Sequence, residues 1–237
     1  MPFIRLASFV ALSFFFIVSC ESPEEKFDKE TGQVPVLTQA GIDSVLASFE
    51  TISYNELPAE YISYTNSDGE FYDKLKNETY YVIKGDDILK YVVGTYRIRH
   101  FMSTDKYFSK NYEDYSANYA QYWLTDKKML YMLLDLVLAL KEKGYNEYGF
   151  NVRESHRHPK LNRLKGGASV SQHIWGKAMD IVVEDINGDG KSNLDDKAIV
   201  LEIVEEIVGD KGGVGRYPGG QTVHFDSRGY GARWDSH

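Results

Sequence analysis

From Met129 to Leu140 almost every position is apolar, in the run MLYMLLDLVLAL. Such a segment has no polar face to show to water, which predicts a helix surrounded by other elements. Thr125 and Asp126 can cap its start, and Gly144 supplies a stop. Shorter runs follow with strand character: Tyr148 to Glu154, the β-branched Ala178 to Val183, and Val223 to Asp226. Between the last two, Lys197 to Val208 repeats apolar residues at helical spacing. The order helix, strand, loop, strand, helix, strand predicts an α+β domain with a small, mainly antiparallel sheet flanked by helices.

The front of the chain is patterned differently. Arg5 precedes an apolar run from Leu6 to Val18 that is too short to span a bilayer comfortably and ends in Ile17-Val18-Ser19-Cys20. This resembles a bacterial lipoprotein signal, with residues 1–19 removed and Cys20 lipidated; an ordinary secretory peptide with a chance cysteine is the alternative. Cys20 is the only cysteine, so no disulfide forms within the chain and no thiol remains for catalysis. Residues 20–34 are largely charged and read as a solvated tether. Residues 35–122 carry no recognisable motif but hold 13 of the 18 tyrosines, which predicts a mainly helical region packed through aromatics. Residues 123–237 form a second region, which carries the helix and strand signals read above.

A hydrophobic content of 43% suffices for one good core, and a net charge of -8 without clustered Lys or Arg argues against a nucleic-acid partner. The chemistry gathers late in the chain. His173 sits just before a strand carrying Asp180, and His224 lies in another strand, with Asp226 on the same face by alternation. Two histidines and a carboxylate from adjacent strands can hold zinc with a fourth position open. A histidine on a strand also serves purely structural hydrogen bonding, so the spacing alone leaves both readings standing.

The stretch from Arg153 to Ile181, with ESHRHPKLNRLKGGASVSQHIWGKAMDI at its heart, resembles the D-alanyl-D-alanine carboxypeptidase and dipeptidase family of zinc peptidases, relatives of the hedgehog and lysostaphin-type enzymes. The family pattern Ser-x-His-x-x-Gly-x-Ala-x-Asp is filled by Ser171, His173, Gly176, Ala178 and Asp180. The resemblance implies His173, Asp180 and His224 as zinc ligands, with Ser171 and Gln172 lining the substrate cleft. It also implies Arg157 as the group that meets an oxyanion or a substrate carboxylate, within His156-Arg157-His158-Pro159, where the family has Tyr-Arg-Ser-Pro. One departure stands out: where the family has a general base, this chain has Gln221 and Thr222. Asp226 is the nearest carboxylate and is nominated as base, the alternative being that it orients a histidine ligand.

DINGDGKSNLDD, residues 185–196, resembles a dockerin-type calcium loop, with oxygens from Asp185, Asn187, Asp189, Asn193 and Asp196, the Lys191 carbonyl, and Gly190 at the turn. The same composition also makes an ion-free turn. The expectation is therefore a lipid-anchored zinc peptidase of the bacterial cell envelope, on the periplasmic or outer-membrane face. Its cofactor would be Zn2+, with Ca2+ in a structural role, and its partner peptidoglycan peptides containing D-amino acids. The alternative is a non-catalytic, metal-containing peptidoglycan-binding lipoprotein.

Overall fold

The computed structural model describes residues 32–103 and 120–235. The expected signal peptide, Cys20, most of the tether and the tyrosines at 107, 112, 115 and 119 lie outside the described residues.

The front half runs α1 (Gln39–Ala47), β1 (Glu50–Ser53), α2 (Ala59–Thr65), α3 (Tyr72–Leu75), β2 (Thr79–Lys84), β3 (Tyr91–Val93), β4 (Tyr96–Arg97) and β5 (Ala120–Trp123). Helices are joined here by an antiparallel sheet in the order β1-β2-β5 and by the β3-β4 pair, neither anticipated from the sequence. The back half runs α4 (Lys127–Glu142), β6 (Phe150–Glu154), α5 (Pro159–Leu164), β7 (Ala178–Val183), α6 (Leu194–Val208), β8 (Gly213–Gly215), β9 (Thr222–Asp226) and β10 (Ala232–Trp234). Its five strands follow the order β10-β8-β9-β7-β6, antiparallel except for the β10-β8 pair. The chain is α+β, as its hydrophobic pattern predicts.

Helix α4 is the central pillar. Asp126 caps it by accepting the Lys128 N–H, and seven of its apolar side chains, from Met129 to Leu140, are buried. At roughly 1.5–3 kcal/mol for each buried aliphatic side chain, this packing far outweighs intrinsic helix propensity. The same core takes Met179, Ile181 and Val183 from β7, Val223 and Phe225 from β9, and Val200, Ile203 and Val204 from α6. Ile42, Ile83 and Trp123 of the front half enter it as well. The packing is thus continuous across the junction near residue 122.

A second cluster lies under the future site. Tyr54, Tyr61, Phe71, Leu75 and Tyr80 surround Leu124 and Ile174. Ile174 belongs to a 3-10 turn, Gln172–Trp175, which Gly176 ends at φ +62°. The Gly176 carbonyl accepts the Asp126 N–H at 2.9 Å, bringing the turn against the start of α4. A Cβ on residue 176 would lie 2.3 Å from the Leu124 carbonyl oxygen and 2.6 Å from the Thr125 Cα. Both obstacles are backbone, and the left-handed φ adds strain of its own. Gly176→Ala is expected to destabilise the protein by roughly 2–4 kcal/mol in denaturant unfolding; a change below roughly 0.5 kcal/mol would refute the close approach.

Candidate metal centre and its cleft

Asp180 and His224 are direct cross-strand partners on β7 and β9. Since Met179, Ile181, Val223 and Phe225 point into the core, alternation turns Asp180 and His224 to the opposite face of the sheet. There His224 Nδ1 lies 2.7 Å from Asp180 Oδ1. His173 arrives from the 3-10 turn, its Nε2 3.3 Å from both Asp180 Oδ2 and His224 Nδ1. One ligand atom from each residue falls within 4.8 Å of the others, and all three residues are buried. Among the described residues no other group of three or more His, Cys, Asp or Glu converges in this way.

The outer nitrogens decide what the inner ones can do. A carbonyl can only accept, so His173 Nδ1 donates its proton to Ser155 O at 2.6 Å, which leaves Nε2 as a lone pair facing Asp180 and His224. His224 Nε2 lies 3.2 Å from Asp226 Oδ2, so the Nδ1 side turns to the same space. Two imidazole nitrogens and one carboxylate, each steadied from behind, match the donor set of an open zinc site. The backbone ties the pieces together, since the His173 carbonyl accepts the N–H of both Arg157 (3.0 Å) and Gly176 (3.1 Å).

Asp226 is not placed to act as the base. It is fully buried behind the His224 ring, and its oxygens accept from the Gly213 N–H (2.9 Å) and the Arg228 guanidinium (2.8 Å from Nε, 2.5 Å from Nη2). Burial pushes its carboxyl up, but hydrogen bonds from His224 and Arg228 prevail and hold it far below the ordinary carboxylate range. Its geometry is that of the residue that orients His224. β8 accommodates this with glycine, because a Cβ on Gly213 would fall 2.4 Å from Asp226 Oδ2.

Arg157 is also committed to protein groups. Its Nε lies 2.7 Å from Glu154 Oε2 and its Nη2 2.6 Å from Asp180 Oδ2. Arg157 lines the cleft over the centre, and within it these pairings give it a supporting role, holding the carboxylate of Asp180. Glu154 is clamped from its other side by Lys165 Nζ at 2.5 Å. Next in the motif, His156 and His158 serve the fold. Burial pushes His156 down to about 3, so it is neutral, and His158 Nδ1 caps α5 by accepting the Leu161 N–H.

A cleft of about 470 Å³ opens over the centre, lined by Ser171, Gln172, His173, Asp180 and His224. Ser171 and Gln172 therefore stand where a substrate-lining role requires them. Arg153, Lys165, Arg228, Tyr217, Thr222 and Trp234 line it too. Sequence reasoning missed Arg153, Lys165, Tyr217, Arg228 and Trp234 because the strands and loops that carry them converge only through the strand order; the close run of glycines from 212 to 220 was the available signal for Tyr217.

The calcium expectation finds no support. The Asp185 carboxylate accepts the N–H groups of Gly188, Asp189 and Gly190, and Asp196 those of Ile186, Asn187 and Asn193. Asp189 Oδ1 accepts from Lys191 N, Asn187 Oδ1 from Asp189 N, and Asn193 Oδ1 caps α6 through the Asp195 N–H. The carboxylates at 185, 189 and 196 do not gather as the His173 group does. The residues just past β7 are joined to the start of α6 by the buried Asp196.

Sheet, turn and donor set together define a candidate metal centre of two histidines and one carboxylate. Residues 125–226 match the family model described as Peptidase M15, so over this segment the chain is similar to the M15 peptidases. These enzymes depend on zinc, so the family supports peptidase activity. No curated protein and no solved structure matches the chain.

Two outcomes test the site. Without metal, burial lowers the basicity of His224, but its hydrogen bonds to Asp180 and Asp226 more than compensate and raise its pKa above the ordinary histidine value. A proton then competes with a cation for Nδ1, and metal uptake must release it. Zinc affinity should accordingly fall as pH drops through that raised pKa, with proton release seen as a buffer-dependent heat in calorimetry; a pH-independent affinity would contradict the tautomers assigned above. For the loop, Asp196→Ala should cost about 2–3 kcal/mol in unfolding, equally with calcium or chelator. A calcium-dependent rise in the wild-type melting temperature, lost in Asp189→Ala, would restore the ion.

Proposed function

We propose that the protein is a zinc-dependent peptidase that cleaves D-amino-acid-containing peptides of bacterial peptidoglycan, as a carboxypeptidase or an endopeptidase. The observation that carries this reading is the convergence of His173 Nε2, His224 Nδ1 and an Asp180 oxygen beside an open cleft. Arg153, Arg157, Lys165 and Arg228 line that cleft against the two acids Glu154 and Asp180, a local excess of positive charge in a chain whose net charge is -8, which suits peptides bearing free carboxylates. A lipid on Cys20 would hold the domain at the envelope, where such peptides occur.

When bound, zinc supplies Lewis acidity and brings the pKa of water within reach of neutral pH. The chain does the rest. His173 and His224 present fixed lone pairs, Asp180 contributes negative charge, and Arg157 keeps Asp180 in place. Asp226 and Arg228 hold the His224 ring from behind. Ser171 and Gln172 offer hydrogen-bonding groups to an extended peptide.

One observation favours a second reading. Gln221 and Thr222 occupy the family's base positions, Asp226 is sequestered, and Glu154 is paired to Arg157 and Lys165. A protein so equipped could hold peptidoglycan without cutting it. Zinc-loaded protein incubated with peptidoglycan, followed by mass spectrometry of soluble fragments, separates the two. New muropeptides are expected, and His173→Ala should slow their release by about a thousandfold, since metal activation is worth several kcal/mol of barrier. Tight binding with no product from the wild type would establish the binder, and full activity in His173→Ala would remove the metal mechanism.

A further inference from the structure

The loop between β8 and β9 is built in an expensive way. Tyr217 has φ +38°, a left-handed conformation rare for a side chain of this size, and it precedes Pro218, which restricts it further. Gly219 and Gly220 follow directly, and Gly212, Gly213 and Gly215 lie just before, so this segment uses glycine freely. At position 217, where glycine would relieve the strain, the chain keeps a tyrosine.

What holds the strained residue is equally unusual. Lys197 is the only lysine buried among the described residues, and its Nζ donates to two backbone carbonyls, Tyr217 O at 2.8 Å and Gly220 O at 2.5 Å. A desolvated ammonium needs strong acceptors, and this one finds them only if the loop takes this shape. On the other side, Trp234 Nε1 donates to the Tyr217 phenol oxygen at 3.3 Å, while the Trp234 ring packs on His224 with centroids 5.0 Å apart. The phenol is thereby tied to the wall of the cleft that holds His173, Asp180 and His224. A strained backbone, a buried cation behind it and an aromatic clamp beside it all meet at a single residue.

We propose that Tyr217 is a substrate-positioning residue of this cleft, its phenol contacting the peptide bound beside His173, Asp180 and His224, and that Lys197 is the residue that positions it. The inference rests on the peptidase reading, since it takes peptidoglycan stem peptide as the occupant. Strain is retained because the phenol must face the cleft, and the buried ammonium exists to enforce that shape. The bonds from Lys197 use only backbone carbonyls and a glycine would accept them equally well, so what the strain preserves is the side chain.

The test compares wild type with Tyr217→Phe, Tyr217→Gly, Lys197→Met and the Tyr217→Phe/Lys197→Met pair. Four quantities are measured: kcat and KM on a pentapeptide stem, calorimetric binding of that stem to metal-free protein, zinc content and melting temperature. Tyr217→Phe should weaken binding of the stem and kcat/KM by about tenfold, with zinc stoichiometry and melting temperature unchanged. Tyr217→Gly should lose at least as much while melting at or above the wild-type temperature, an effect opposite to that of removing a packing residue. Lys197→Met should reproduce the loss, and the double variant should be no worse than either single change, because both act through one phenol. Wild-type binding and turnover retained in Tyr217→Phe, or additive losses in the double variant, would overturn the inference and leave the peptidase reading intact. A wild type that neither binds nor cleaves the stem would defeat that reading and this inference together.

Discussion

The register between β7 and β9 is the constraint on which the site depends. Asp180 faces His224 and Ala178 faces Asp226, so one pairing frame sets a ligand against a ligand and a small residue against the carboxylate that orients the histidine. A slip of one residue would send all four into the core and bring Met179, Ile181 and Phe225 to the surface. The burial that makes the domain fold therefore also selects the arrangement that can hold a cation. Function and stability are read from opposite faces of the same two strands.

Charges of alternating sign extend this arrangement through the protein. Lys165, Glu154, Arg157, Asp180, His224, Asp226 and Arg228 form a chain in which each charged group meets its opposite at 2.5–3.2 Å. Burying Arg157, Asp180 or Asp226 alone would be costly, and together they are tolerated. The chain explains the direction of the shifts within it. Burial alone would raise the pKa of Asp180, yet His173 and His224 hold its carboxyl well below the ordinary value. A divalent ion fits this alternation because it would stand where the His224 proton stands, adding positive charge beside the one carboxylate that already has an arginine behind it.

The back half of the fold was legible because its signals are local. An apolar run, a cap and a glycine define α4, and Ala178–Val183 is the strand that its β-branched residues announce. The ligand trio was legible for the same reason, each member lying in or next to a clear strand. Roles set by a third partner were not. Arg157 was assigned to substrate because a guanidinium suits an oxyanion, but nothing local shows that Glu154 and Asp180 lie within 2.7 Å of it. Asp226 was nominated as base because it faces the same way as His224, yet sharing a strand face does not say which ring nitrogen it meets. The loop at 185–196 differs again, since the side chains that would bind an ion are also the ones that cap an Asx-rich turn and a helix start.

The front half was the least legible part, and its packing shows why it matters to the site. Two ligands are set by the sheet, but His173 comes from a turn of four residues with no strand to hold it. The turn is held instead by Ile174, buried among Tyr54, Tyr61 and Tyr80, by the Trp175 Nε1–H reaching Lys74 O at 3.3 Å, and by Gly176 against Leu124. These tyrosines lack periodicity because they converge from helices, 3-10 turns and strands onto a single apolar residue, not onto one face of one element. The ligand that the sheet leaves undetermined is thus located by the region that carries no motif of its own. The centre is built by both halves of the described residues, although the family pattern covers only the second.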